Sequence, residues 1–166
     1  MTSELRSAKA DLVAYRRHIQ MLYERVQPWC KELGLAVAFG THHLSERRHG
    51  EYEVPTLAIA NPKGNKLATL VPQGEVIVSA LGRVDLMGAS GRAEKFLFLR
   101  EHGYITVRDF ETGRRLSLTP DPKRAFMGVK AADWYWVPAY PVRRAWPLTL
   151  ELFVDVLTAV SDEYPN

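Results

Sequence analysis

Residues 53–110 read EVPTLAIANPKGNKLATLVPQGEVIVSALGRVDLMGASGRAEKFLFLREHGYITVRDF. Short apolar stretches alternate with Pro- and Gly-containing turns, and no helical spacing links them, which is the pattern of successive β-strands. The expected strands are Val54–Ala60, Lys66–Val71, Glu75–Leu81, Arg83–Met87, Lys95–Arg100 and Tyr104–Phe110, with a bend at Gly82. Turns are expected at Pro62-Lys63-Gly64-Asn65, Pro72-Gln73-Gly74, Gly88-Ala89-Ser90-Gly91 and His102-Gly103. In Arg83–Met87, Val84 and Leu86 point one way while Arg83 and Asp85 point the other. Lys95–Arg100 sets Phe96 and Phe98 against Leu97 and Leu99; a strand apolar on both faces belongs in the middle of a sheet. The connections are too short for parallel crossovers, so the sheet reads as an antiparallel meander.

Outward from this stretch, Leu5, Ala8, Leu12, Tyr15, Ile19, Leu22, Val26, Trp29 and Leu33 are spaced alternately three and four apart, an unbroken apolar seam on one helix face. Thr2 or Ser3 suits the N-cap, Pro28 predicts a kink after Gln27, and Gly34 predicts the stop. Tyr15 and Trp29 are bulky for a coiled-coil seam, so the seam is expected to pack on the sheet; the alternative is a homodimer through this N-terminal helix. Leu35–Phe39 is the expected first strand and the polar run 40–51 a loop. Downstream, Glu111-Thr112-Gly113-Arg114 turns the chain into Arg115–Thr119, Pro120–Lys123 leaves the sheet, and Asp133–Val137 is a last strand. Pro138, Pro141 and Pro147 keep the following chain extended. From Thr149, Leu152, Phe153, Val156, Leu157 and Val160 follow helical spacing. The expected fold class is therefore α+β: a single domain over residues 1–166, with an antiparallel sheet of six to eight strands (35–137) flanked by an N-terminal helix (3–33) and a C-terminal helix (149–162).

Composition is that of a globular domain, with 46% hydrophobic and 25% charged residues. The single cysteine, Cys30, excludes an internal disulfide and fits a reducing compartment. No apolar run is long enough to span a bilayer, and the first nine residues lack the apolar core of a signal peptide, so a cytoplasmic location is expected. The net charge is +3. Its distribution is uneven: from Arg108 to Trp146 there are eight bases against four acids. Such a segment favours an acidic partner.

Motifs that carry chemistry are weak. His42, His43 and His49 with Glu46, Glu51 and Glu53 supply ligand types for a metal, but at no zinc-site spacing. Asp85 followed by Glu94 and Lys95 has the ingredients of a metal-dependent nuclease, yet adjacent Glu94 and Lys95 project to opposite faces of a strand. Gly88–Gly91 lacks the Lys-Ser/Thr ending and the helix of a phosphate loop. Cys30 reads as a buried small hydrophobe, and Trp134 and Trp136 are expected in the core with Tyr135 facing water.

The chain is therefore read as a non-catalytic binding, adaptor or regulatory protein. It engages an acidic partner, a protein in the first instance, through a basic aromatic surface within residues 108–146. The residues assigned to that surface are Arg114, Arg115, Lys123, Arg124, Lys130, Tyr135, Tyr140, Arg143, Arg144 and Trp146. Nucleic acid is the alternative partner, because aromatic faces stack bases while Arg and Lys hold phosphates. A metal-dependent hydrolase or nuclease on His42/His43/His49 or Asp85/Glu94/Lys95 is the second alternative. No catalytic residue, metal ligand or cofactor is assigned.

Overall fold

The computed structural model describes residues 2–116 and 123–165. Ser3–Glu32 (α1) is one 30-residue helix, capped by the Thr2 hydroxyl, which accepts from the Leu5 amide. Tyr15, Ile19, Leu22, Val26 and Cys30 are buried from its seam or beside it, against the sheet. Each such aliphatic side chain contributes about 1.5–3 kcal/mol relative to exposure. The face that a helix-mediated homodimer would use is thus occupied from Ala8 to Cys30.

The helix is not interrupted after Gln27. Pro28 sits inside α1. Its missing N–H leaves the Glu24 carbonyl without its usual donor, but both residues are exposed, so water can serve that carbonyl and the helix continues.

The strands are Ala36–Glu46 (β1), Gly50–Ala60 (β2), Lys66–Gly74 (β3), Gly82–Gly88 (β4), Ala93–Leu99 (β5), Val107–Arg108 (β6), Arg115–Leu116 (β7), Asp133–Trp136 (β8) and Trp146–Pro147 (β9). Seven of them form one antiparallel sheet in the order β1-β2-β3-β4-β5-β8-β9, while β6 and β7 make a separate hairpin. Leu150–Val160 (α2) is capped by Thr149 and buries Phe153, Val156, Leu157 and Val160. The class is α+β, with both helices on the sheet face carrying Val84, Leu86, Phe96, Phe98 and Trp134. On the opposite face Leu97, Leu99, Tyr135 and Val137 form a smaller core with Ala80, Val129 and Ala145. Among the described residues, no helix is long and apolar enough to cross a membrane.

Three expected loops and strands are corrected. Of residues 40–51 only 47–49 turn the chain; the rest is strand, with β1 and β2 paired in unbroken register from Ala36↔Ala60 to Glu46↔Gly50. Because β2 meets β3 only from Leu57 onward, the outer half of this pair leaves the sheet as a two-stranded ribbon. Residues 75–81 are not a strand but a tight turn closed by an Ile77↔Ala80 bridge, with Ser79 at φ 62. The Glu75 and Val76 amides donate instead to the Glu46 carboxylate, at 3.0 and 2.8 Å, and so are lost to a ladder. Of residues 104–110 only Val107–Arg108 is strand; of 115–119 the described part, Arg115–Leu116, is strand and the remainder lies outside the described residues. Tyr135, expected to face water, is buried, because Ala80, Phe126, Val129 and Ala145 pack over that part of the sheet.

Candidate functional site

Two charged assemblies lie away from the main core. The first forms where the ribbon tip, the turn after β3 and the β6–β7 hairpin meet over the start of α1. Glu75 stands at its centre, fully buried. Its Oε2 lies 2.7 Å from His49 Nε2, and its Oε1 accepts from Arg108 Nη2 at 2.9 Å and Arg115 Nη2 at 2.6 Å. Arg48, also buried, reaches Asp11 at 2.5 Å, and Asp11 pairs with Arg115 at 3.1 Å. Burial alone pushes the Glu75 carboxyl up, but the His49 hydrogen bond and the Arg108 and Arg115 charges outweigh it and hold the group at about 2. An acid held that low is a poor proton acceptor near neutral pH. This assembly ties chain segments together and leaves Glu75 little capacity for an incoming ligand.

The second assembly is a trough of about 470 Å³ on the sheet face away from the helices. Its size is within the usual range of ligand sites. The floor and walls are apolar, from Val78, Ile105, Phe126, Val137 and Val142, and Tyr140 stands over it 83% exposed. Four cations border it: Lys95 from β5, Lys123 and Arg124 from the segment before β8, and Arg143 from the segment after it. The described lining contains no carboxylate, and none of the four cations forms an ion pair with a described residue. Lys95 shows why. Its cross-strand neighbour is Asp85, but that carboxylate is held by Arg83 at 2.7 and 3.0 Å. Lys95 also borders two adjoining hollows, one reaching Arg83 and Asp85 and the other Val76 and Leu97. The arrangement can receive a group that is anionic on one side and apolar on the other.

The residues assigned from sequence divide accordingly. Lys123, Arg124, Tyr140 and Arg143 come together at the trough. Arg115 is spent on Glu75 and Asp11, and Arg114 lies 3.6 Å from Glu4. Tyr135 is buried, its hydroxyl donating to the Ala131 carbonyl. Trp146 packs on Trp136 with Arg144 over its ring, and Lys130 is exposed elsewhere. His42 and His43 lie on β1 opposite Val54 and Glu53, well apart from the buried His49 contact. Among the described residues no three His, Cys, Asp or Glu side chains converge as metal ligands. Asp85, Glu94 and Lys95 do line one hollow, but Asp85 is held there by Arg83 and Glu94 accepts from Trp136 Nε1 at 3.0 Å. Burial pushes the Cys30 thiol up to about 12, leaving it protonated near neutral pH.

Sequence reasoning missed Lys95 as a groove residue, and Glu75 as a buried centre. Alternation along β5 does place Lys95 on the face of Leu97 and Leu99. The walls that make that face a trough, however, come from Val78 and Ile105 and, for the most part, from residues 28 or more downstream. Compared with protein-family models, with curated proteins and with solved structures, the chain matched none of them.

Proposed function

We propose that this chain is a non-catalytic binding protein that takes an acidic segment of another protein into the trough around Lys95. The observation that carries the reading is the set of four cations that form no ion pair with a described residue, beside an apolar floor. Cations that merely solvate a surface are commonly interspersed with acids; here the cross-strand acid of Lys95, Asp85, is already engaged by Arg83. An acidic segment with one apolar or aromatic side chain would complement both halves of the trough.

A protein is favoured over a nucleic acid because the aromatic residues that would stack bases are largely committed. Trp134 and Tyr135 are buried, and Trp136 and Trp146 pack on each other. Tyr140 is the exposed aromatic that remains at the trough, whereas strand-binding grooves use successive stacking platforms.

Fluorescence anisotropy tests the reading with two labelled probes of equal charge: an Asp/Glu-rich peptide containing one Phe, and a short single-stranded oligonucleotide. The expected result is peptide binding that weakens in Lys95→Ala and Arg143→Ala. Absence of peptide binding at low salt, or binding indifferent to both substitutions, would refute it. Oligonucleotide binding whose salt slope those substitutions flatten would put nucleic acid in its place.

A further inference from the structure

The two edges of the seven-stranded sheet are unlike. β9 is two residues long and ends in Pro147, which has no N–H to offer another strand. β1 is eleven residues long and pairs on one side only, with β2. A free edge presents a row of backbone donors and acceptors, and natural sheets usually blunt it with Lys, Pro or a bulge. β1 has none of these where it borders the sheet. From Leu33 to Thr41 there is no charged residue and no proline, and its pairing with β2 is without a bulge. Ala36, Ala38 and Gly40 are exposed there, and Phe39 is 59% exposed.

We infer that β1 pairs antiparallel with β1 of a second copy of this chain, about a twofold axis near Ala38, joining two sheets edge to edge. This inference is independent of the trough and its ligand. Two arguments select a second copy as the occupant. The first is charge: a neutral strand of small residues offers nothing to the acidic partner proposed above, and is matched by an equally neutral strand, which β1 itself is. The second is symmetry. A twofold axis makes the paired strands antiparallel automatically, with the same patch used twice.

Light scattering after gel filtration of the full chain at about 100 μM tests this, a concentration at which associations of micromolar strength are populated. The expected result is twice the mass of the chain. Ala36→Lys combined with Ala38→Lys puts like charges across the axis and should raise the dimer dissociation constant about tenfold or more. Cysteine placed singly at Ala36, Ala38 or Phe39 supplies a readout that does not depend on the lysine variant folding. Antiparallel neighbours bring Cα atoms to about 4.5–5.5 Å, within disulfide reach, so one of the three should cross-link on oxidation while the buried Cys30 stays silent. A monomeric wild-type chain, a dimer that survives in a folded lysine variant, or no cross-link at any of the three positions would overturn the proposal.

Discussion

The imidazole of His49 and the carboxylate of Glu75 meet at 2.7 Å with both side chains shut off from solvent. One comes from the tip of the β1–β2 ribbon, the other from the turn that follows β3. Glu75 is also the anion shared by Arg108 and Arg115. Glu75→Ala would leave three guanidinium groups gathered around a void, since Arg48 is 3.7 Å away as well. Removing one partner from a buried ionic group costs about 3–5 kcal/mol. Urea unfolding should show a loss of that order, with Glu75→Gln intermediate. A loss below about 1 kcal/mol would mean that the segments are held by other contacts.

Acid should destabilise the fold in two stages. Burial first, then the Arg115 and Arg17 charges, lower the His18 pKa from 6.5 to about 4. The unfolded chain therefore takes up that proton first, and stability falls as the pH drops from 6.5 toward 4. Glu75 is likewise depressed, from 4.5 to about 2, so its contribution is complete above 4.5 and is lost as the pH falls toward 2. The His18 ring stacks on Phe98, with centroids 3.6 Å apart. His18→Phe can keep a stacked ring while removing the titration. Its thermal midpoint, followed against pH, should be flatter between 6.5 and 4 than that of the wild type; an unchanged slope would assign the first stage to another group.

The cations of the trough should be separable from stability. Lys95→Met and Arg143→Ala remove charges that form no ion pair among the described residues. Both variants should therefore melt within about 0.5 kcal/mol of the wild type. For the acidic peptide each should weaken affinity by about tenfold, as for loss of one charged contact worth about 1.4 kcal/mol. If binding and melting fall together, these side chains support the fold rather than a ligand.

Tyr15 joins the helix to the sheet by its hydroxyl, which donates to the Arg83 carbonyl at 2.7 Å and accepts from the Gly74 amide at 3.1 Å. The ring is fully buried against Gly82, where an added Cβ would lie 2.5 Å from it. Tyr15→Phe keeps the ring but leaves a buried carbonyl and a buried amide unpaired, a cost of about 1–3 kcal/mol. Denaturant titration measures it, and a neutral result would require that water replace the hydroxyl.

The helix seam was legible because it rests on spacing alone, and the Thr2 cap and the β4 alternation were legible for the same local reason. That the helix runs on past Pro28 was less legible, because the effect of proline on a helix depends on whether the orphaned carbonyl faces water, which no local pattern states. Residues 75–81 misled more deeply. Val76-Ile77-Val78 has strand composition, but the Glu46 carboxylate, from 29 residues upstream of Glu75, claims the amides of Glu75 and Val76. The basic segment was visible as an excess of charge. What was not visible is which charges are spent: Arg115 answers Glu75 and Asp11, whereas Lys123, Arg124 and Arg143 answer no described residue. Spacing along the chain does not distinguish an engaged guanidinium from a free one.

The strand order has a consequence for how the molecule is made. β2 through β5 each lie beside the strand synthesised just before, so the growing sheet can zip up in the order in which it leaves the ribosome, each closure spanning a short loop. β8 breaks that rule, since it must find β5 across a long intervening stretch, and β9 and α2 follow it. Lys95 is thus in place early, while the walls carrying Lys123, Arg124 and Arg143 arrive late. A nascent chain therefore passes through a stage with most of its sheet formed and no trough, and the trough closes only after the segment carrying Arg143 has been made.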